Sequence, residues 1–179
     1  MSSLSNRPAA APALATSAPP DDAVGFALGK PISAAETRCT TANLDCQSRM
    51  AKLDSGKYTC GGPAVDQGMP LKITLSECEG LVCELSADAD EAAWNVLVAR
   101  FGLLSETLKK RYGQFERKTR ALEGCADGLQ RCFAAGRART SIAWRWANRQ
   151  VVSLELDGGQ SRKATLVLHY GTSEPVPPT

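Results

Sequence analysis

Residues 71–86 read LKITLSECEGLVCELS. Leu71, Ile73 and Leu75 point one way, and Lys72, Thr74 and Ser76 the other. That is the period of two expected of a half-buried strand. Glu79–Gly80 marks a tight turn, and LVCELS (81–86) reads as the antiparallel partner. A hairpin with one apolar face needs a second layer to cover it. The next segment offers one. Residues 87–113, ADADEAAWNVLVARFGLLSETLKKRYG, predict a helix from Asp88 to Tyr112. Asp88, Asp90 and Glu91 suit its amino end; Lys109, Lys110 and Arg111 suit its carboxyl end before Gly113. Trp94, Leu97, Val98, Phe101, Leu104, Leu108 and Tyr112 recur at spacings of three and four, an apolar stripe wide enough to cover a sheet. Gly102 weakens the middle, where the helix bends or breaks.

The last third reads as sheet. Ile142, Trp144 and Trp146 share one face of TSIAWRWAN; Val152, Leu154 and Leu156 share one face of QVVSLELDGG; Ala164, Leu166, Leu168 and Tyr170 share one face of RKATLVLHYG. Asn148–Arg149 and Asp157–Gly158–Gly159 are the turns of a three-stranded meander. Towards the amino end, VGFALG is a short apolar run. Ser33 and Glu36 form a capping box for a short helix over about 34–40, and LDCQSRMAKLD suggests one or two further helical turns. GKYTC is a brief strand, GGPAVDQGMP a loop, and FERKTRALEG a polar, basic stretch.

Seven cysteines stand at 39, 46, 60, 78, 83, 125 and 132. No two are spaced CxxC, and only Cys78 and Cys83 approach the two to four intervening residues that zinc ribbons and thioredoxin-like sites use. Placed on neighbouring strands, those two are within reach of a cross-strand bridge. Cys125 and Cys132 bracket ADGLQR with its Asp127–Gly128 turn, and this is the leading pair. A bridge closing so short a loop removes about 2–3 kcal/mol of unfolded-state entropy. Seven reduced thiols would be unusual in a cytosolic chain of this size, so six of the seven are expected in structural disulfides in an oxidising compartment, with one left over. Buried free thiols and metal or redox work are the competing readings. Connectivity is otherwise open.

With 179 residues, 43% of them hydrophobic, the chain can build one core. No run of eighteen apolar residues exists to span a membrane. MSSLSNRPAAAPALATSAPP lacks the basic and apolar regions of a signal peptide. It reads as part of a flexible Ala/Pro-rich leader over 1–22, and a secreted chain would have lost its signal peptide. Residues 23–171 are expected to form one domain, with similar helix-then-strands halves 23–86 and 87–171 as a variant, and 172–179 a disordered tail. The fold class is α+β: an antiparallel sheet packed against one long and one or two short helices, stabilised by disulfides.

Charge is uneven. Residues 1–99 carry net −5, residues 100–149 net +8 and residues 150–179 net −1. Arg145 alternates with Trp144 and Trp146, so core tryptophans put the arginine on the wet face. The basic region fits an acidic protein partner; nucleic acid is not expected. Arg131, Arg137, Arg139, Arg145 and Arg149 are the candidate protein-binding residues. No GxSxG, HExxH, Walker or dinucleotide-binding pattern occurs. The acids at 88–91 lack the spacing of a calcium loop. The single histidine, His169, alternates with Leu168 and Tyr170 and belongs on the exposed or partly exposed face. No catalytic residue, metal or cofactor is assigned.

The segments GFALGKPISAAE, LKITLSECEGLVCEL and AAWNVLVARFGLLSETLKKRYG, with the closing strands, together resemble small cell-envelope proteins of Gram-negative bacteria. Over about residues 24–170 the organisation is similar to the outer-membrane assembly lipoprotein and beta-lactamase-inhibitor-like class of helix-and-sheet modules. The lipobox cysteine has no counterpart here, so a lipid anchor would have to come from outside this sequence. The resemblance implies binding rather than catalysis. The expectation is a non-enzymatic periplasmic or secreted protein-binding module, an inhibitor or immunity protein that blocks an enzyme or toxin. The alternatives are an envelope hydrolase using His169, and a structural or assembly subunit of a secretion or surface apparatus.

Overall fold

The computed structural model describes residues 15, 17–23, 25–41, 51–52, 57–59, 64–66, 69–89, 92–159 and 164–171. The elements run β1 (Asp22–Ala23), β2 (Phe26–Ala27), α1 (Ile32–Thr41), β3 (Ala51–Lys52), β4 (Lys57–Thr59), β5 (Ala64–Asp66), β6 (Met69–Cys78) and β7 (Leu81–Ala89). Then come α2 (Trp94–Tyr112), β8 (Glu116–Ala121), α3 (Leu129–Ala134), β9 (Ala138–Arg145), β10 (Val151–Asp157) and β11 (Thr165–Gly171). This is the expected α+β class, with two disulfides, Cys78–Cys83 and Cys125–Cys132.

Six of the longer strands form the body of one antiparallel sheet in the order β6-β7-β11-β10-β9-β8. Short β4 and β5 pair with β6, and β3 pairs with β4. The β6–β7 hairpin turns at Glu79 and Gly80, both at positive φ (53° and 82°), as a primed two-residue turn demands. The Cys78–Cys83 bridge spans this turn with 5.6 Å between Cα atoms. β9, β10 and β11 form the expected meander. The β7–β11 pairing, with Asp88 opposite Val167, then joins the strands on either side of α2 into a single sheet.

One face of the sheet is core. Ile142 stands opposite Leu154 and Leu154 opposite Leu168; Leu168 faces Ala87, and Ala87 faces Ile73. All five are buried. α2 lies against β10 and β11 and buries Leu97, Phe101, Leu104, Leu108 and Tyr112. α1 adds Ala35 and Cys39 to the same core, and β2 adds Phe26. The end of α2 is pinned where Gly113 takes φ 87° and its carbonyl accepts the Trp144 Nε1 hydrogen bond at 3.0 Å. Tyr112 meets Trp144 and Trp146 edge-on there.

Several boundaries differ from expectation. α2 starts at Trp94, not Asp88, and its first turn carries no acid. Asp88 and Ala89 instead extend β7, because β6 and β11 offer partners on both sides: Asp88 opposes Lys72 on one and Val167 on the other. Asp90 and Glu91 lie outside the described residues. The helix runs unbroken through Gly102. α1 starts at Ile32, two residues earlier than expected, so Ser33 is inside the helix rather than its cap; Pro31, just before it, pairs with Leu81. Ala51–Lys52 is strand rather than helix, and the rest of that expected helical stretch, 44–50 and 53–54, lies outside the described residues. The expected loop at 61–70 contains β5 and the start of β6. The basic stretch after α2 is a strand, β8, and the Cys125–Cys132 loop closes onto a short helix, α3.

The packed part of the chain begins before residue 23. The Ala15 amide donates to the Arg145 carbonyl, the Ser17 carbonyl accepts from Trp146 Nε1, and the Pro20 carbonyl accepts from Gln150 Nε2. Residues 172–179 lie outside the described residues.

Candidate functional site

The alternation that sends Thr140, Ile142 and Trp144 of β9 into the core sends Arg139, Ser141, Ala143 and Arg145 to the opposite face. The same parity puts Glu116, Lys118 and Arg120 of β8 there, with Val151, Ser153, Glu155 and Asp157 of β10. Among the described residues, no helix lies on this face. Between β8, β9 and β10 it forms a trough of about 270 Å³. Its lining carries four bases (Lys118, Arg120, Arg139, Arg145) against two acids (Glu116, Glu155).

The charges are organised by Arg139, whose side chain is only 12% exposed. Its Nε donates to Asp157 Oδ2 at 2.8 Å and lies 3.1 Å from Glu155 Oε1, while Nη2 binds Asp157 Oδ2. Its Nη1 is buried with no hydrogen-bond partner among the described residues. Burial holds the Glu155 carboxyl above the usual glutamate range; Arg139 and Arg120 pull the other way, and Asp157 adds to the rise. Further along, Glu116 takes Arg145 Nη2 at 3.6 Å and Lys118 Nζ at 3.4 Å. At the β7 side of the same face, burial also raises the Asp88 carboxyl, against the pull of Lys72.

The five arginines named as candidate protein-binding residues do not sit together. Arg139 and Arg145 share the trough. Arg131 is exposed on α3. Arg137 is exposed before β9, beside a second cavity of about 650 Å³ between the start of α2 and the β10–β11 turn. Arg149 is exposed in the β9–β10 turn at φ 67°. The length of β9 separates Arg137 from Arg149 by more than roughly 25 Å, at about 3.3 Å per residue. Lys118 and Arg120 complete the trough instead. Sequence alternation missed them because ERKTRA has no apolar period, and pairing to β9 is what makes it a strand.

His169 is on the face that its alternation predicts, but it is 9% exposed, not a surface residue. It stands opposite Ser153 of β10 on one side and Ser86 of β7 on the other. Its ring and the Glu84 side chain close over Gly171, where a Cβ would come within 3.0 Å of His169 Nε2 and 2.9 Å of Glu84 Cγ. Ser153 lies in an interior strand paired on both sides, to β9 and β11. Its backbone neighbours therefore supply no free pair of amides for an oxyanion.

Cys39 is buried, while Cys46 and Cys60 lie outside the described residues. Among the described residues no group of three or more His, Cys, Asp and Glu is placed to hold a metal ion, and no helix is long and apolar enough to cross a membrane. No protein-family model, curated protein or solved structure matches this chain.

Proposed function

We propose that the chain is a non-enzymatic protein-binding module of the periplasm or the extracellular space, which receives an acidic surface of another protein on the open face of its sheet. The observation that carries this reading is the trough on the face of the sheet that carries no helix among the described residues, lined by four bases and two acids. A partner's carboxylates entering the trough would make charge-assisted bonds with the exposed Lys118 and Arg120 that line it. The two disulfides support the compartment, since such bonds persist where thiols are not kept reduced. An inhibitor or immunity protein acts in this manner, by covering a partner's surface without turning anything over.

The test is selection of binders from a displayed random-peptide library on the immobilised chain. Asp and Glu should be enriched among the selected peptides. The exposed pair Lys118→Glu/Arg120→Glu should weaken the binders by about tenfold or more, most strongly at low salt. The pair Arg131→Glu/Arg149→Glu should leave them within about twofold, because rim charges far from the dock matter little. Binders without acidic enrichment, or equal losses in both variants, would overturn the reading.

A further inference from the structure

Among the described residues, β8 is the strand at one end of the sheet, with β3 at the other. One side of its backbone is paired to β9 from Glu116 opposite Ala143 through Ala121 opposite Ala138. The other side carries no backbone hydrogen bond among the described residues. In an antiparallel pair every second residue turns its N–H and C=O outward, so this edge presents an open ladder. Lys118 through Ala121 are exposed, and the strand has no Pro to block pairing.

The side chains along the edge are basic on both faces. Lys118 and Arg120 border the trough. Arg117, opposite the core residue Ile142, lies on the other face with its guanidinium over the rings of Phe115 (5.4 Å) and Phe101 (6.0 Å). Glu116, the one acid in the strand, is already engaged by Arg145 and Lys118.

We infer that β8 is a strand-addition site. An extended acidic segment of the partner protein pairs with its free edge as the next strand of the sheet, and its carboxylates meet Lys118 and Arg120 on the trough side. This rests on the reading of the open face as a dock for an acidic partner, and it specifies how that partner is held. Backbone ladder bonds supply affinity in this mode, and alternate side chains supply selectivity. A second copy of the chain is disfavoured as the occupant. The symmetric antiparallel registers of β8 on itself that keep the faces matched and pair more than one residue set a base opposite a base (Arg117 on Arg117, Lys118 on Lys118, Lys118 on Arg120 or Arg120 on Arg120), and Glu116, the one acid that could offset this, is already engaged by Arg145 and Lys118. Like charges directly opposite each other destabilise a strand pair.

The probe is a blocked heptapeptide of alternating Glu and Val, together with the same peptide N-methylated at the amides of one edge. Binding to the full chain with its disulfides intact is followed by titration and by amide hydrogen exchange at 116–121. The peptide should slow exchange of the outward amides of β8. N-methylation should weaken binding by about tenfold or more, as should Lys118→Glu/Arg120→Glu. If the peptide binds and is charge-sensitive, but the β8 amides are unprotected and N-methylation has no effect, strand addition is overturned while acidic docking on the face stands. Protection without charge sensitivity would keep the ladder and overturn the acidic partner. Outward amides already protected in the free chain would assign the edge to a second copy if the chain dimerises, or to its own remaining segments if it does not. Either result overturns the proposal, as does the absence of saturable binding at about 1 mM peptide.

Discussion

Glu155 stands between two opposing effects. Burial on the sheet face disfavours its charge, while Arg139 at 3.1 Å favours it, and burial dominates. The folded chain therefore holds the Glu155 proton to higher pH than the unfolded chain does. Between those two values the folded form binds more protons. Glu155's contribution to stability is then full below the ordinary glutamate range and is lost as pH rises through the folded value. Asp88 moves in the same direction, with burial again the first cause. The check is urea unfolding of the wild type and Glu155→Gln from about pH 4 to pH 7, spanning the ordinary carboxylate range and the region above it. The stability of the wild type relative to the variant should fall as pH rises. A difference that grows with pH would mean that the Arg139 pair outweighs burial. Sequence alternation placed Arg145 and His169 on the right face. It could not show how deeply they sit, because depth depends on neighbouring strands rather than on the strand itself.

α2 shows how far an element can be read alone. Its stripe from Leu97 to Tyr112 is buried as the spacing of three and four requires. Its start was misplaced because acidic residues suit a helix amino end and the end of a paired strand equally well. Gly102 is exposed, and a Cβ there would meet nothing within 4 Å. Gly102→Ala should therefore raise the unfolding free energy by about 1 kcal/mol, the propensity difference alone, as measured in urea. A loss of stability would show that the glycine serves a contact or a bend. β8 is the opposite case. Its six residues carry no apolar alternation, and only the Thr119–Thr140 hydroxyl pair at 2.9 Å and the ladder to β9 mark it as a strand. An edge strand needs only one partner, so its own composition can stay polar and basic.

At the scale of the molecule, one short-range crosslink, Cys78–Cys83, spans a hairpin turn within the sheet, and the other ties down a loop that the sheet does not hold. Cys125–Cys132 anchors the segment after β8 to α3, where Cys132 is fully buried. Replacing both with serine should cost about 2–3 kcal/mol, the loop-closure value for so short a ring. It should be read in thermal or urea unfolding of non-reduced protein, and a negligible loss would remove the bridge from any account of the fold. The amino-acid sequence by itself determined the features that depend on near neighbours: the period of two in β6, β7 and β9–β11, the turns at Glu79–Gly80 and Asn148–Arg149, the apolar stripe of α2 and the Cys125–Cys132 pair. Only the tertiary structure decided that β7 pairs with β11, that β8 is a strand at one end of the sheet, and that Arg139, Arg145, Lys118 and Arg120 share a trough while Arg131, Arg137 and Arg149 lie apart. Local periodicity is set by side chains a few residues apart. Partner choice between strands is set by backbone groups and buried faces that meet only once distant segments have come together.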